Sequence, residues 1–103
     1  MSDESKQYKV VVYDDAVQML NSHVRFVANV SISAARKLRA DLYKACKSLE
    51  TMPHRCPVYH MRRVTGTYRK LVISRYQIVY SISEQDCIVY VKYVLDSRQD
   101  SDI

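Results

Sequence analysis

Glycine and proline are scarce in this sequence: one glycine and two prolines occur among its 103 residues. Because these residues form many tight turns, their scarcity leaves little room for long loops or for an all-β architecture with many hairpins. Long apolar runs are also absent, and none approaches the roughly 18–20 residues that a membrane-spanning helix needs. The first five residues are polar and acidic, unlike the start of a signal peptide. We therefore expect a soluble, cytoplasmic protein that makes no membrane contact.

The three cysteines are Cys46, Cys56 and Cys87, and no two of them form a Cys-x-x-Cys pair. An odd number of cysteines argues against the disulfide framework of a secreted protein. His54 and His60 lie near Cys46 and Cys56 in the sequence, but these spacings match none of the usual zinc patterns. We therefore expect reduced thiols, no metal ion and no cofactor.

The length and composition are those of one ordinary globular domain. The chain is 48% hydrophobic and 26% charged, which excludes a disordered protein. Single domains commonly contain about 100–150 residues. We therefore predict one domain over residues 1–103, with flexible tails at 1–7 and 101–103.

Positive charge is concentrated in the middle of the chain. Sixteen lysines and arginines against eleven acidic residues give a net charge of +5. No acidic residue occurs from Thr51 to Ser83, whereas this stretch contains six basic ones: Arg55, Arg62, Arg63, Arg69, Lys70 and Arg75. The excess is consistent with a solvated basic surface, and it also favours an anionic partner such as a nucleic acid or an acidic protein segment.

The first third of the chain predicts a strand followed by a helix. Residues 9–13 are a β-branched run of strand length. Asp14 or Asp15 is predicted to cap the helix, and Gln18 stands where a capping box requires it. Apolar residues at helical spacing then extend the helix over about residues 15–29.

A second amphipathic helix follows after a short connection. Ser31 or Ser33 offers a side-chain oxygen to its first turn. Pro53 is predicted to end it, because proline disfavours helical backbone in the residue before it. Its apolar positions recur every three or four residues: Ala35, Leu38, Leu42, Cys46 and Leu49. The two helices are therefore predicted to form an antiparallel hairpin.

The second half of the chain predicts four strands, over residues 58–64, 68–74, 75–83 and 87–95. In the third of these, alternate residues share one face: Tyr76, Ile78, Tyr80 and Ile82. Residues 96–103 have too little apolar content to belong to the core. The order of elements predicts an α+β fold, with an N-terminal strand and the helical hairpin packed on a mainly antiparallel sheet of four to five strands.

Five motifs, in their order and spacing, resemble the RelE/ParE superfamily, which comprises the toxins of type II toxin–antitoxin modules. They are Ala34-Ala35-Arg36, Leu49-x-x-x-Pro53, Tyr68-Arg69-Lys70-Leu71, Tyr76-Gln77-Ile78-Val79-Tyr80, and the ending from Val94 to Asp100. The resemblance extends over about residues 8–100 and implies a curved sheet similar to that of small microbial ribonucleases. The ending looks more like ParE than like RelE.

The resemblance implies a growth-inhibiting toxin with one of two targets. ParE-like members poison DNA gyrase, whereas RelE-like members cut mRNA in the ribosomal A site. The arginine that follows the second strand's tyrosine in RelE-like enzymes is Gln77 here, and nothing after Arg98 resembles a catalytic tyrosine or histidine. These departures favour gyrase. A ribosome-dependent endoribonuclease and a non-toxic basic binding domain remain as alternatives.

The resemblance and the charge pattern together nominate the site residues. Under the nuclease alternative, Arg69, Arg75 and His60 would be catalytic. The residues expected to bind the target or the antitoxin are Arg62, Arg63, Arg69, Lys70, Arg75 and Arg98. The resemblance also implies a cognate antitoxin with a partly acidic arm that folds on binding. It leaves open a toxin homodimer or a heterotetramer with the antitoxin.

Structural roles are alternatives for two of these arginines. Arg69 shares a predicted strand face with Leu71 and Ile73, so its aliphatic stem can pack over the core while its charged head reaches water. Arg98 can pair with Asp96 or Asp100, as neighbouring opposite charges often do.

Overall fold

A computed structural model of the chain describes residues 6–61 and 65–99. Two helices pack on a five-stranded sheet, which confirms the predicted α+β fold. The elements are β1 (Lys9–Val12), α1 (Asp14–Ala28), α2 (Ile32–Lys47), β2 (Val58–Tyr59), β3 (Tyr68–Ile73), β4 (Tyr76–Ser83) and β5 (Ile88–Asp96). The strands lie in the order β1-β5-β4-β3-β2. The β1–β5 pair is parallel and the other three pairs are antiparallel.

The starts of the two helices differ in how they are capped. Tyr13 precedes α1 and makes no side-chain capping hydrogen bond, while Asp14 and Asp15 lie inside the first turn. The predicted capping role of these aspartates is therefore wrong; within the first turn, their carboxylates instead interact favourably with the helix dipole. Ser31 caps α2 as predicted, because its Oγ accepts a hydrogen bond from the Ala34 N–H at 3.1 Å.

Helix α2 ends at Lys47, earlier than the proline that was predicted to stop it. A short 3-10 turn, Ser48–Glu50, continues the chain, and Met52 then adopts a left-handed backbone with φ of 49°. The Arg55 guanidinium donates to the Thr51 and Met52 carbonyls at 2.9 and 3.2 Å. Both carbonyls lie just beyond the 3-10 turn, so these bonds fix the backbone where the chain leaves the helix.

The main core lies between the helical hairpin and one face of the sheet. The helices contribute Ala16, Leu20, Leu42, Ala45 and Cys46 to it. The sheet contributes Tyr76, Ile78, Tyr80, Val89, Val91 and Val94, and Ile82 packs against the same cluster. The predicted alternation of β4 is thereby confirmed, since its four apolar residues share the face that the helices cover.

Two strands, β2 and β5, depart from the sequence prediction. β2 contains only Val58–Tyr59 rather than residues 58–64. The last strand, β5, extends to Asp96, one residue beyond the predicted strand. Asp96 is 6% exposed, so it does not belong to the polar segment 96–103 that was predicted to lie outside the core. A bulge between Val79 and Tyr80 shifts the register against β5. Because a bulge gives one strand an extra residue, side chains of β5 change face there.

The second face of the sheet carries a smaller cluster: Met61, Tyr68, Val79 and Leu95 are buried in it, and Tyr59 and Tyr93 pack against it. Neither helix of the described residues has the length and apolar character needed to cross a membrane. The expected tails at 1–7 and 101–103 fall largely outside the described residues.

Candidate functional site

Arg69 lies on the face of β3 that the helices cover, and its guanidinium is tied to the backbone. Its Nη1 donates hydrogen bonds to the carbonyl oxygens of His54 and Cys56 at 3.1 and 2.6 Å. The side chain is half-buried, in register opposite Tyr80. Both carbonyls belong to the loop that carries the chain from α2 to β2. Arg69 therefore holds this loop against the sheet with a charged donor.

Lys70 points to the opposite face of the sheet from Arg69. Its Nζ lies 4.7 Å from the centre of the Tyr59 ring, within the range of a cation–π interaction. Because successive strand residues alternate between faces, the adjacent basic residues Arg69 and Lys70 cannot serve one binding surface on the sheet.

Arg75 and Arg98 come together around Asp96. Arg75 lies in the β3–β4 turn, where its Nε and Nη2 are each 3.4 Å from the Tyr76 hydroxyl. Its carbonyl accepts hydrogen bonds from the N–H and hydroxyl of Ser97, each at 2.8 Å. The hydrogen bond from the Arg98 side chain lowers the pKa of Asp96, and the nearby charge of Arg75 lowers it further. The structure thus joins two of the predicted binding residues at one end of the sheet.

A groove of about 830 Å³ opens beside Arg98, between α1 and the end of β5. Its apolar lining consists of Met19, Phe26, Tyr76, Val94 and Leu95. The described part of β1 pairs with β5 only as far as Val91. Beyond Val91, no strand of the described residues pairs with this edge of β5. His23 Nε2 donates to the Val94 carbonyl on this edge at 2.7 Å. Arg98 and Asp96 stand at the rim of the groove.

His54 belongs to a polar cluster that the sequence did not indicate. Its Nε2 contacts the Glu84 carboxylate, which also accepts a hydrogen bond from the Tyr8 hydroxyl at 3.1 Å. Lys6 Nζ lies 3.8 Å from the same carboxylate. Glu84 is in the β4–β5 turn, thirty positions from His54, so no local pattern relates the two residues. The cluster links the loop before β2, the N-terminal segment and that turn.

A buried tyrosine also supports the loop before β2. The Tyr80 hydroxyl donates to the Pro53 carbonyl at 2.6 Å. Burial, and to a smaller extent a hydrogen bond with Cys56, raise the pKa of Tyr80. The hydroxyl therefore remains protonated and acts as a donor throughout the neutral range.

The predicted catalytic residues occupy separate places. Arg69 faces the helices from the start of β3, and Arg75 lies in the turn at the other end of that strand, at a separation of roughly 20 Å by strand geometry. His60 is exposed in the chain that follows β2. Arg62 and Arg63 lie outside the described residues. In residues 6–61 and 65–99, no three His, Cys, Asp or Glu side chains are placed together as metal ligands.

Comparisons with known proteins identify similar sequences and folds. Residues 10–101 match the family model described as the ParE toxin of the type II toxin–antitoxin system parDE. No curated protein sequence matches the chain.

Two solved structures share the fold at low sequence identity. A chain of the RelBE2 toxin–antitoxin complex from Mycobacterium tuberculosis is 20% identical, with a TM-score of 0.64, covering 92% of this chain and 97% of that one. A chain of the archaeal RelE–RelB complex from Pyrococcus horikoshii OT3 is 17% identical, with a TM-score of 0.57, covering 88% and 96%. At such identity, the likeness establishes the fold.

Proposed function

The chain belongs to the family of ParE toxins of type II toxin–antitoxin systems, and from that premise we propose that it arrests bacterial growth by inhibiting DNA gyrase. It acts by binding, without cutting RNA. A cognate antitoxin binds it and relieves the arrest.

The observation that carries the choice of gyrase is the engagement of Arg69. A ribonuclease must place several charges around one phosphate to stabilise its transition state. Arg69 instead donates to the His54 and Cys56 carbonyls on the helix side of the sheet. Arg75 lies at the far end of β3, and Gln77 supplies no charge. This arrangement supports a toxin that inhibits its target by contact.

Arg75 and Arg98 support a docking place for the antitoxin. Arg98 lines the apolar groove between α1 and β5, and the Arg75 guanidinium lies over the ring of Tyr76, which also lines it. An arm with aliphatic side chains in the groove can therefore place carboxylates near these two guanidinium groups. The two similar solved structures are both toxin–antitoxin complexes. This combination of an apolar floor with Arg98 at its rim and Arg75 nearby is the basis for our assignment of the groove to the antitoxin.

The target is tested with the purified full chain in two assays run in parallel. In a plasmid supercoiling assay with gyrase, we expect loss of supercoiling and accumulation of cleaved plasmid. In a translating extract, we expect no cuts in the mRNA when its 5′ ends are mapped. Codon-positioned cuts with unaffected gyrase would show that the chain is instead a ribosome-dependent nuclease.

The module itself is tested in living cells. Expression of the chain alone should arrest growth, and co-expression of the antitoxin encoded beside it should restore growth. Substituting Arg75→Glu and Arg98→Glu should weaken antitoxin binding at least tenfold in a titration, whereas Lys47→Glu on the exposed side of α2 should leave it unchanged. Normal growth despite confirmed soluble expression would contradict the toxin assignment.

A further inference from the structure

The sheet face turned away from the helices carries tyrosines with lysines between them. We call it the tyrosine–lysine face, and it consists of Tyr13, Tyr59, Tyr68, Tyr90, Tyr93, Lys70 and Lys92. Tyr90 lies between Val89 and Val91, which are both buried against the helices, so its ring points the other way. Tyr59, Tyr68 and Tyr93 belong to the smaller cluster on this second face.

The side chains of this face are linked by ring and cation contacts. Lys92 Nζ lies 5.3 Å from the centre of the Tyr13 ring and 5.2 Å from that of Tyr68. The Tyr13 and Tyr90 rings meet edge to face with their centres 5.7 Å apart. These contacts orient the rings and ammonium groups before any ligand arrives, which lowers the entropic cost of binding.

The face extends across the sheet; Tyr68 is buried in it, and the other tyrosine rings remain partly exposed. From Tyr59 on β2 to Tyr13 after β1, it crosses five strands, a distance of roughly 19 Å at about 4.8 Å per interval. Tyr13 is 40% exposed, and Tyr59, Tyr90 and Tyr93 are each half-buried. A ligand strand crossing β5 therefore has access to several ring surfaces in succession.

The charge of the tyrosine–lysine face has a single sign. Within the strands that the structure describes, Asp96 is the only acidic residue, and its register partner Tyr76 places it on the helix side. Lys70 and Lys92 therefore have no acidic neighbour among the strand residues on their own face. Such a face is complementary to an anionic ligand.

We propose that the tyrosine–lysine face binds single-stranded DNA, with bases stacked on the tyrosines and phosphates next to Lys70 and Lys92. Bases have an aromatic surface and phosphates a negative charge, so a nucleic acid strand matches both kinds of side chain. The carboxylates of an acidic peptide match the lysines, whereas a flat base stacks on each successive tyrosine ring as well. The strand is bound and not cleaved.

The choice of DNA over RNA rests on the proposed gyrase target, since the substrate of gyrase is DNA. Stacking on tyrosine and attraction to lysine do not themselves distinguish the deoxyribose of DNA from the ribose of RNA. The binding of an oligonucleotide is measured without gyrase, so its outcome is separate from that of the supercoiling assay. If the chain inhibits gyrase and binds no oligonucleotide, this inference is wrong and the proposed function stands.

The test is fluorescence anisotropy of a labelled twelve-nucleotide oligothymidylate titrated with the full chain. Tyr90→Leu should weaken binding about tenfold because it removes one stacking surface, while Tyr90→Phe should preserve binding. Lys92→Gln should reduce the slope of log K against log salt by about 0.7, and Lys47→Gln on α2 should not. Circular dichroism checks that each variant is folded; Tyr13→Leu at an exposed ring replaces Tyr90→Leu if the latter unfolds.

Three competitors decide between ligand classes. Duplex DNA and polyglutamate should compete at least tenfold less well than the single strand, and oligouridylate of the same length should bind no more tightly than oligothymidylate. Equal competition by polyglutamate, or equal loss of affinity in Tyr90→Phe and Tyr90→Leu, would overturn the stacking model. Tighter binding of oligouridylate would overturn the choice of DNA.

Discussion

Arg98, which lies two residues after Asp96, donates three hydrogen bonds to the Asp96 carboxylate. Its backbone N–H and its Nε donate to Oδ1 at 2.9 and 3.3 Å, and its Nη2 donates to Oδ2 at 3.0 Å. Asp96 is only 6% exposed and is the sole buried charged residue in the described part of the chain. The pair therefore secures the turn after β5 beside the groove and the Arg75 turn.

The Asp96–Arg98 pair should make the free energy of unfolding depend on pH in the acidic range. The hydrogen bond from Arg98 lowers the pKa of Asp96 in the folded chain, so the unfolded chain takes up this proton first as pH falls. The stabilisation is thus complete above the unfolded pKa of about 4 and is lost as pH falls through the lower folded pKa. We expect Asp96→Asn to destabilise the protein at pH 7 and to remove this part of the acid dependence, measured by urea unfolding from pH 2 to 7.

The matched control for Asp96 is Asp41, whose contact with Lys37 is exposed on α2. Asp41→Asn should change the free energy of unfolding by no more than about 0.5 kcal/mol, as is typical of surface helix pairs. An acid dependence that is the same in Asp96→Asn and in the unsubstituted chain would contradict the assignment.

Arg69 should contribute more to stability than its position on a strand suggests. Arg69→Ala leaves the His54 and Cys56 carbonyls without their charged donor, so we expect a loss of about 2–3 kcal/mol in the free energy of unfolding. Lys47→Ala, at an exposed helix position, should remain within about 0.5 kcal/mol. Urea unfolding at pH 7 measures both.

The Arg69 substitution also bears on toxicity. We expect Arg69→Ala to weaken growth arrest more than Lys47→Ala does, in proportion to the folded protein present in the cell. If Arg69→Ala abolished the arrest while leaving the unfolding midpoint unchanged, a direct contact between Arg69 and the target would be indicated instead.

Ser74 offers a way to stabilise the β3–β4 turn. Its φ is 55°, a left-handed conformation that is unfavourable for a residue with a Cβ, and its side chain is exposed. Ser74→Gly should raise the free energy of unfolding by about 0.5–1 kcal/mol, because the relief of strain exceeds the added entropy of the unfolded chain. Ser74→Ala keeps the Cβ and should gain nothing, so equal melting temperatures for the two variants would contradict this account.

Patterns that repeat locally predicted most of the fold. The alternation of Tyr76, Ile78 and Tyr80 indicated which face of β4 is buried, since side chains in a strand alternate with a period of two. The helical spacing from Ala35 to Leu49 likewise indicated the packed side of α2. What these signals could not show is pairing between distant segments. Lys9 pairs with Ile88 in a parallel register, and nothing near either residue encodes that choice.

The candidate site was less accessible to sequence reasoning because its geometry depends on such distant contacts. Arg69 was recognisable as a charge beside core residues, but its carbonyl partners in the loop before β2 were not. The tyrosine–lysine face was hidden by the register shift between Val79 and Tyr80, because that shift decides on which face of β5 the residues around Lys92 lie. His54 and Glu84 meet only when the sheet is assembled.

The three thiols should differ in reactivity, and Cys46 should be the least reactive. Burial raises its pKa to about 11, and it is 3% exposed in the main core. The thiolate is the nucleophile, so a raised pKa keeps Cys46 protonated and unreactive at pH 8.

Cys87 is half-buried in the β4–β5 turn and should be alkylated first by iodoacetamide, as followed by peptide mass spectrometry. In guanidinium chloride all three should react at similar rates. If Cys46 were labelled as fast as Cys87 in the folded protein, the core would have to open at this position. In that case Cys46 would be labelled at the same rate in the Cys87→Ser variant.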